Sequence, residues 1–176
     1  MTRDRVANPL DDTTRMAPAQ EAGPVDAQVA AACLVVLSGS NVGDHDDYRS
    51  SCGGMSTPPN GGRDAVYYID LGAGALTSAV DVTFSTECAG TDFDTVLAVG
   101  VGPGSCGATG FGAGPPRCND DVNTSSRRSR VTVCVPGAVA TTGTRVNVLV
   151  DGYLATDVGN YQLNVVVSQH PGGTCP

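Results

Sequence analysis

The segment "TRVNVLVDGYLATDVGNYQLNVVV", residues 144–167, decides the fold because it contains two runs with apolar side chains at every second position. The apolar members are Val146, Val148 and Val150 in the first run, and Tyr161, Leu163, Val165 and Val167 in the second. A period of two places such side chains on one face of a β-strand. Alternation with polar residues is typical of antiparallel sheets with one solvated face.

The same pattern extends through most of the chain. Valine-rich runs occupy residues 33–37, 64–71, 78–86, 94–101, 129–135, 144–151 and 160–167. Glycine- and proline-rich loops separate them, for example at residues 55–63, 102–121 and 136–143. Short strands between turn clusters, without a helical period, predict an all-β fold: an antiparallel two-sheet β-sandwich, jelly-roll-like.

The pattern divides the chain into three parts. Residues 1–28 are rich in Asp, Pro, Ala and Thr and predict a flexible or extended N-terminal arm. Residues 29–168 form the predicted sandwich, and residues 169–176 form a C-terminal tail. Within the sandwich, Tyr67 and Tyr68 point to opposite faces of one strand, so one of them is predicted to join Tyr161 in the core.

The charge balance argues against nucleic acid as a partner. The net charge is −8 at pH 7, and an acidic protein is repelled by a phosphate backbone. No apolar stretch reaches the ~18 residues of a membrane-spanning helix. The first apolar run, residues 29–37, is predicted to open the first strand; a displaced signal core is the alternative.

The cysteine content predicts an exported, disulfide-bonded protein, either secreted or at the cell surface. The seven cysteines form no C-x-x-C pair, so zinc-site spacing is absent and a disulfide framework is favoured. Three pairs are predicted: Cys106–Cys118 around a loop, Cys52–Cys88 around two strands, and Cys33–Cys175 at the domain ends. Cys134 is either the spare thiol or a partner of one of these. No signal peptide is recognisable in residues 1–28.

The order of several short motifs resembles a known bacterial family. The motifs are "GRDAVYYIDL" (62–71), "VDVTFST" (80–86), "DFDTVLAV" (92–99), "CNDD" (118–121), "SRVTV" (129–133), "NVLVDGY" (147–153) and "GNYQLNV" (159–165). In this order they are similar to the bacterial pre-peptidase C-terminal (PPC) domain, over residues 34–167. The cysteine-containing forms found in secreted bacterial proteins are most similar.

The resemblance implies a non-catalytic β-sandwich that accompanies secreted proteins. Such modules aid secretion, hold a partner or bind a polymer. A relative, the collagen-binding domain of clostridial collagenases, binds calcium, and its site is matched here at Asp64, before the aromatic strand. The acidic N-terminal linker that supplies further ligands in that relative is not recognisable here, so the resemblance implies calcium at this one position only.

Four further aspartates are candidates for the same ion. Asp92, Asp94, Asp120 and Asp121 converge if the strand from residue 94 lies near residue 121. Carboxylates and loop carbonyls are the ligands that calcium prefers. The alternative is structural, since Asp and Asn at the ends of strands also accept hydrogen bonds from loop amides. The acidic turn "GDHDDY" (43–48) is predicted to lie at the surface and could combine with Asp64.

Catalysis is not predicted. The chain has no G-x-S-x-G or H-E-x-x-H motif, and only His45 and His170 could serve a nucleophile as base. The predicted function is therefore an accessory or binding module that mediates adhesion to, or presentation of, an extracellular protein or polysaccharide. The alternative is a structural subunit of an extracellular filament, sheath or surface layer, whose partner is a second copy of the chain.

Overall fold

The computed structural model describes residues 33–48, 50, 52, 62–71, 78–102, 117–137 and 144–176. The predicted arm, residues 1–28, lies outside this part of the chain. The strands are β1 (Cys33–Ser40), β2 (Ala65–Leu71), β3 (Val80–Ser85), β4 (Thr95–Val101), β5 (Cys118–Asn119), β6 (Arg130–Val135), β7 (Thr144–Gly152) and β8 (Asn160–Gln169). Each predicted run is confirmed as a strand. The two-residue β5 was not predicted because so short a strand shows no period.

The strands form two four-stranded antiparallel sheets, so the predicted all-β sandwich is confirmed. The strand order is β1-β8-β3-β6 in the first sheet and β2-β7-β4-β5 in the second. Except from β4 to β5, every connection passes from one sheet to the other. Eight strands in this two-sheet arrangement make a jelly roll.

The core lies between the two sheets and consists mainly of valine. Val82 of β3, Val135 of β6 and Val146 of β7 are completely buried, as the alternation predicted. Two tyrosines connect the sheets across this core. Tyr67 of β2 and Tyr161 of β8 join their hydroxyls at 2.6 Å, with the rings edge to face and their centroids 6.2 Å apart. This hydrogen bond gives each hydroxyl a partner between the two sheets.

The outer face of the second sheet departs from the prediction of a solvated side. On β7, Asn147, Leu149 and Asp151 alternate with the core valines and were predicted to face water, yet all three are buried. Leu149 packs with Ala98, Cys118, Val66, Tyr48 and Cys52 in a second apolar cluster. Tyr48 and Cys52 lie between β1 and β2, in a segment whose described residues (41–48, 50 and 52) we call the covering chain because these two side chains cover the outer face. Alternation alone could not show this.

The disulfides of the described residues join Cys52 to Cys118 and Cys134 to Cys175. Cys88 is half-buried and free. The predicted pairs Cys106–Cys118, Cys52–Cys88 and Cys33–Cys175 are therefore wrong, and Cys134 is not the spare thiol. The two disulfides fit an extracellular protein.

The topology explains each error. Cys118 lies on the outer face of the second sheet, opposite Ala98, where it meets the covering chain that carries Cys52. Cys88 follows β3 in the other sheet, so the sandwich separates it from Cys52. Cys33 begins edge strand β1, whereas Cys175 reaches β6 at the opposite edge of the same sheet. Cys106 itself lies outside the described residues.

We expect the Cys52–Cys118 bond to contribute strongly to stability, because it closes a loop with a sequence separation of 66. Replacing both cysteines by serine is expected to lower the free energy of unfolding by about 4 kcal/mol in the chain-entropy description. Urea unfolding of the oxidised protein measures this change. Cys88→Ser, which breaks no disulfide, is the matched control. An unchanged midpoint in the double variant would contradict the assignment.

Candidate functional site

Three of the predicted aspartates meet at one end of the second sheet. Asp94 precedes β4, while Asp120 and Asp121 follow β5, its neighbour. One carboxylate oxygen from each of the three lies within 4.8 Å of the others. The register that pairs Leu97 with Asn119 brings the start of β4 to the end of β5 and so places these side chains together. The predicted convergence is confirmed for these residues.

Hydrogen bonds satisfy part of this cluster and leave part unsatisfied. Arg127 donates to Asp94 Oδ2 at 3.3 Å, and Asn119 Oδ1 accepts from the Arg130 amide at 2.9 Å. The Asn119 side chain also donates to the Asp121 carbonyl. Amide binding, the structural alternative, thus accounts for Asn119. In contrast, Asp94 Oδ1 and Asp120 Oδ1 are buried and accept no hydrogen bond.

Burial, together with crowding of negative charge, raises the pKa values of Asp94 and Asp120 in this cluster. Burial, followed by repulsion from Asp121, Asp94 and Asp157, raises the pKa of Asp120 to about 6. The pKa of Asp94 is also raised, first by burial and then by Asp157 and Asp121, with Arg127 acting in the opposite direction. The neighbouring carboxylates therefore destabilise the charged forms of Asp94 and Asp120. A cation at this point would relieve that repulsion.

Asp92 is not part of this cluster. Its carboxylate accepts hydrogen bonds from the backbone and side-chain nitrogens of Asn160, at 2.7 and 3.2 Å. It therefore ties the loop before β4 to the start of β8. For Asp92 the structural role fits, and its prediction as a ligand in the Asp94 cluster is wrong.

Asp64 also lies apart from the cluster, in a carboxyl pair with Asp151. Ala65 pairs with Val150, so Asp64, one residue earlier, faces Asp151 on the outer side of the sheet. Both residues are buried, with 8% and 2% of their surface exposed. Asp64 Oδ2 accepts the backbone N–H groups of Asp47 and Tyr48, each at 2.7 Å. The acidic turn (43–48) therefore contacts Asp64 through its backbone N–H groups rather than through its carboxylates.

The proximity of the two carboxyls favours a shared proton. Burial raises the pKa of Asp64 to about 7, while the amides of Tyr48 and Asp47 lower it. Burial first, then the charge of Asp64 and a hydrogen bond with it, raise the pKa of Asp151 to about 9. Asp46 adds further negative charge to both. A proton on Asp151 would allow it to donate to Asp64, whereas two charged carboxylates would repel each other.

The donor set of the Asp94 cluster fits calcium in kind. Calcium binds six to eight oxygens, from carboxylates, carbonyls and water. Asp94, Asp120 and Asp121 would hold the ion, which would supply positive charge to the two buried oxygens that lack a hydrogen bond. The calcium site predicted from the sequence is thus reduced to these three residues and stays a prediction.

Asp151 and Asp157 were missed as members of these acidic groups. In the sequence, Asp151 occupies a polar position of an alternating strand, which predicts exposure to water. Only the register between β2 and β7 shows that it faces Asp64. Asp157 lies in the turn between β7 and β8, where its carboxylate accepts the Leu154 amide at 2.8 Å. The sequence signal "VDGYLATD" (150–157) contains both residues, but it reads as an ordinary strand end and turn.

Comparisons with known proteins add little. No protein family and no curated protein matches this chain. A chain in the structure of the infectious bursal disease virus Gx strain is similar at 14% identity, over 81% of this chain and 34% of that chain, with a TM-score of 0.24. So low a score carries no argument about fold or function. Separately, the described residues include no helix long and apolar enough to cross a membrane.

The carboxyl pair predicts how stability depends on pH. Above about pH 4 an unfolded chain has lost these protons, while the folded chain keeps them until the pH passes the raised values. The free energy of unfolding therefore falls as the pH rises from about 4 to about 9. Between about pH 7 and pH 9, the loss is on the order of 1 kcal/mol per pH unit. Urea unfolding across this range measures it.

Asp151→Asn is the variant that isolates this effect. The asparagine amide donates to Asp64 without titrating, so we expect a smaller loss of stability between about pH 7 and about pH 9. Asp47→Asn is the control, since its side chain is exposed and only its backbone contacts Asp64. If Asp151→Asn showed the same pH dependence as the wild type, the shared proton would be refuted.

We expect calcium to bind the Asp94 cluster and to raise the melting temperature of chelator-treated protein. Asp120→Asn should remove this effect, while Asp92→Asn, which changes an aspartate outside the cluster, should keep it. Binding should weaken below about pH 6, because protons then compete for Asp120. Calorimetric titration measures both points. No heat at millimolar calcium, or equal heat from the Asp120 variant, would remove calcium from this site.

Proposed function

We propose that this chain is a non-catalytic module of an exported protein and that it binds a protein partner. The binding surface is the outer face of the β8–β3–β6 strands, on the side of the sandwich opposite the acidic groups. The observation that carries the proposal is made at Asn164, which lines an open depression on this face and whose buried Oδ1 has no hydrogen-bond partner.

The depression offers several hydrogen-bonding groups on a rigid base. It measures about 380 Å³, and its lining includes Thr83, Ser85, Glu87, Arg130, Asn164 and Val166. These residues lie on the adjacent strands β8, β3 and β6, apart from Glu87, which follows β3. The hydrogen-bonded pairing of the strands fixes their spacing. Arg130 donates to Glu87 at 2.6 Å, and Thr83 and Thr132 join their hydroxyls at 2.8 Å. The surface is therefore ordered before a partner arrives, which reduces the entropy lost on binding.

Asn164 gives this surface a specific requirement. Asn164 pairs with Ser85 across β8 and β3, and its buried carbonyl oxygen lacks a donor. A buried acceptor without a partner costs free energy, which an incoming donor recovers. A backbone N–H group of an extended peptide is such a donor.

The composition of the face favours protein over polysaccharide. Among the residues that the structure describes, no aromatic ring lines the depression, whereas a flat sugar ring is best covered by a large aromatic side chain. Tyr67 and Tyr161, two of the aromatics that could have formed a binding face, are committed to the core. Arg145 covers the ring of Tyr68, 4.0 Å from its centroid, on the other sheet.

The non-catalytic part of the proposal rests on the surroundings of His170. Its Nδ1 lies 2.8 Å from Asp81, as in a catalytic dyad. The sulfur beside this pair belongs to Cys134, which is bonded to Cys175 and so cannot act as a nucleophile. The two disulfides support export, as does the resemblance to the PPC domain.

Selection from a random-peptide display library, followed by measurement of the dissociation constant, tests the proposal. We expect Asn164→Ala to weaken binding of selected peptides about fivefold or more, because one hydrogen bond is lost. Thr156→Ala, in the exposed turn between β7 and β8, is the control and should bind as the wild type does.

Two results would contradict this proposal. One is that the selected peptides bind the Asn164 variant and the wild type equally. The other is that soluble glucans or mannans bind this face, with Asn164-dependent affinity, while no peptide does. The second result would assign the face to a polysaccharide.

A further inference from the structure

A cluster of zinc-binding residue types surrounds the second disulfide. Asp81 lies on β3 and pairs directly with Cys134 on β6. His170 follows β8, and its Nδ1 lies 2.8 Å from Asp81 Oδ1. One donor atom from each of these three residues lies within 4.8 Å of the others. The fourth residue, Cys175, is bonded to Cys134.

The C-terminal tail is shaped so that Cys175 returns to this cluster. Gly172 and Gly173 adopt positive φ angles of 85° and 73°, a backbone conformation that glycine adopts without strain. The Gly173 amide donates to the His170 carbonyl at 3.0 Å, and the Gly173 carbonyl accepts from the Ala79 amide at 3.0 Å. This turn fixes the tail against the start of β3. The Cα atoms of Cys134 and Cys175 are then 5.6 Å apart.

We propose that, when the Cys134–Cys175 disulfide is reduced, Asp81, Cys134, His170 and Cys175 bind one zinc ion. Two thiolates, an imidazole and a carboxylate are ligands that zinc takes in proteins, in a tetrahedral arrangement. Zinc bonds of about 2.0–2.3 Å place neighbouring ligand atoms about 3.3–3.8 Å apart. The donor atoms of Asp81, Cys134 and His170 lie within 4.8 Å of one another, and the Cys175 sulfur is bonded to that of Cys134, so after reduction the two sulfurs need only separate to complete the site.

The disulfide and the zinc ion exclude each other, because each uses both sulfurs. Reduction of the disulfide requires two electrons, which two molecules of a small thiol supply. The products are two cysteine thiols and the disulfide of the small thiol. Zinc then replaces the two thiol protons, which are released to solvent. Oxidation reverses the process and expels the ion.

The consequence is that the C-terminal tail stays fastened to β6 in both redox states. Where thiols are oxidised, a covalent bond holds Cys175 to Cys134. Where thiols are kept reduced, the metal ion takes over that role and masks both thiols from other cysteines. This site is independent of the proposed partner-binding face, which lies farther along the same strands.

Titration of the full chain with cobalt and zinc tests the proposal. The chain is reduced with a phosphine under anaerobic conditions, and cobalt is added as a spectroscopic probe. We expect one cobalt ion per chain, with the visible absorption of a tetrahedral thiolate site, and its displacement by one zinc ion. His170→Ala and Asp81→Ala should weaken zinc binding about tenfold or more. The oxidised chain should bind no ion at these residues.

A matched pair of double variants separates this site from adventitious thiol binding. Cys134→Ser/Cys175→Ser should lose the tetrahedral spectrum. Cys52→Ser/Cys118→Ser, which removes the same number of thiols, should keep it. The proposal is overturned if the reduced wild type binds no cobalt, or if both double variants bind it equally. Circular dichroism of each reduced sample determines whether the fold persists, and a reduced chain too unfolded to bind zinc also overturns it.

Discussion

The carboxyl group of Asp64 holds together the part of this fold that departs from a simple sandwich. One of its oxygens accepts two backbone N–H groups from the chain that crosses the outer face of the second sheet. Its neighbour Asp151 is almost completely buried. A carboxylate removed from water must be compensated by hydrogen bonds, a proton or a cation. The amides supply part of that compensation and a proton on Asp151 supplies the rest, and Leu149 then packs beneath Tyr48 and Cys52 of the covering chain.

The two disulfides perform the same task on opposite sheets. Cys52–Cys118 fixes the covering chain to β5, and Cys134–Cys175 fixes the C-terminal tail to β6. β5 and β6 are edge strands, so each bond fastens a segment outside the ladders at an otherwise weakly held edge. The acidic groups lie with the first disulfide, and the proposed zinc ligands lie with the second. The acidic groups and the proposed zinc ligands therefore lie on different sheets.

The strands could be predicted from the sequence because their signal is local. Val82 and Phe84 of β3 alternate with Asp81 and Thr83, and this period alone fixes the inner face. The disulfides could not be predicted, since Cys52 meets Cys118 only after a loop crosses an outer face. Asp94 and Asp120 were found because they end neighbouring strands. Asp151 was missed because the meaning of its position depends on the register between β2 and β7.

The covering chain and the proposed binding surface lie on different outer faces. The outer face of the second sheet holds the covering chain, whereas the outer face of the first sheet carries the tail disulfide at one end and the proposed binding surface farther along its strands. Asn164, with its unsatisfied oxygen, lies on that surface. This division depends on the covering chain staying in place.

Native-state hydrogen exchange of the Asp47 and Tyr48 amides tests that dependence most directly. Both amides lie in a chain without regular strand structure, and we expect the hydrogen bonds to Asp64 to protect them. The account predicts slow exchange in the wild type and exchange close to that of an unprotected amide in Asp64→Ala, while the β7 amides stay protected in both. Rapid exchange of these two amides in the wild type would contradict it.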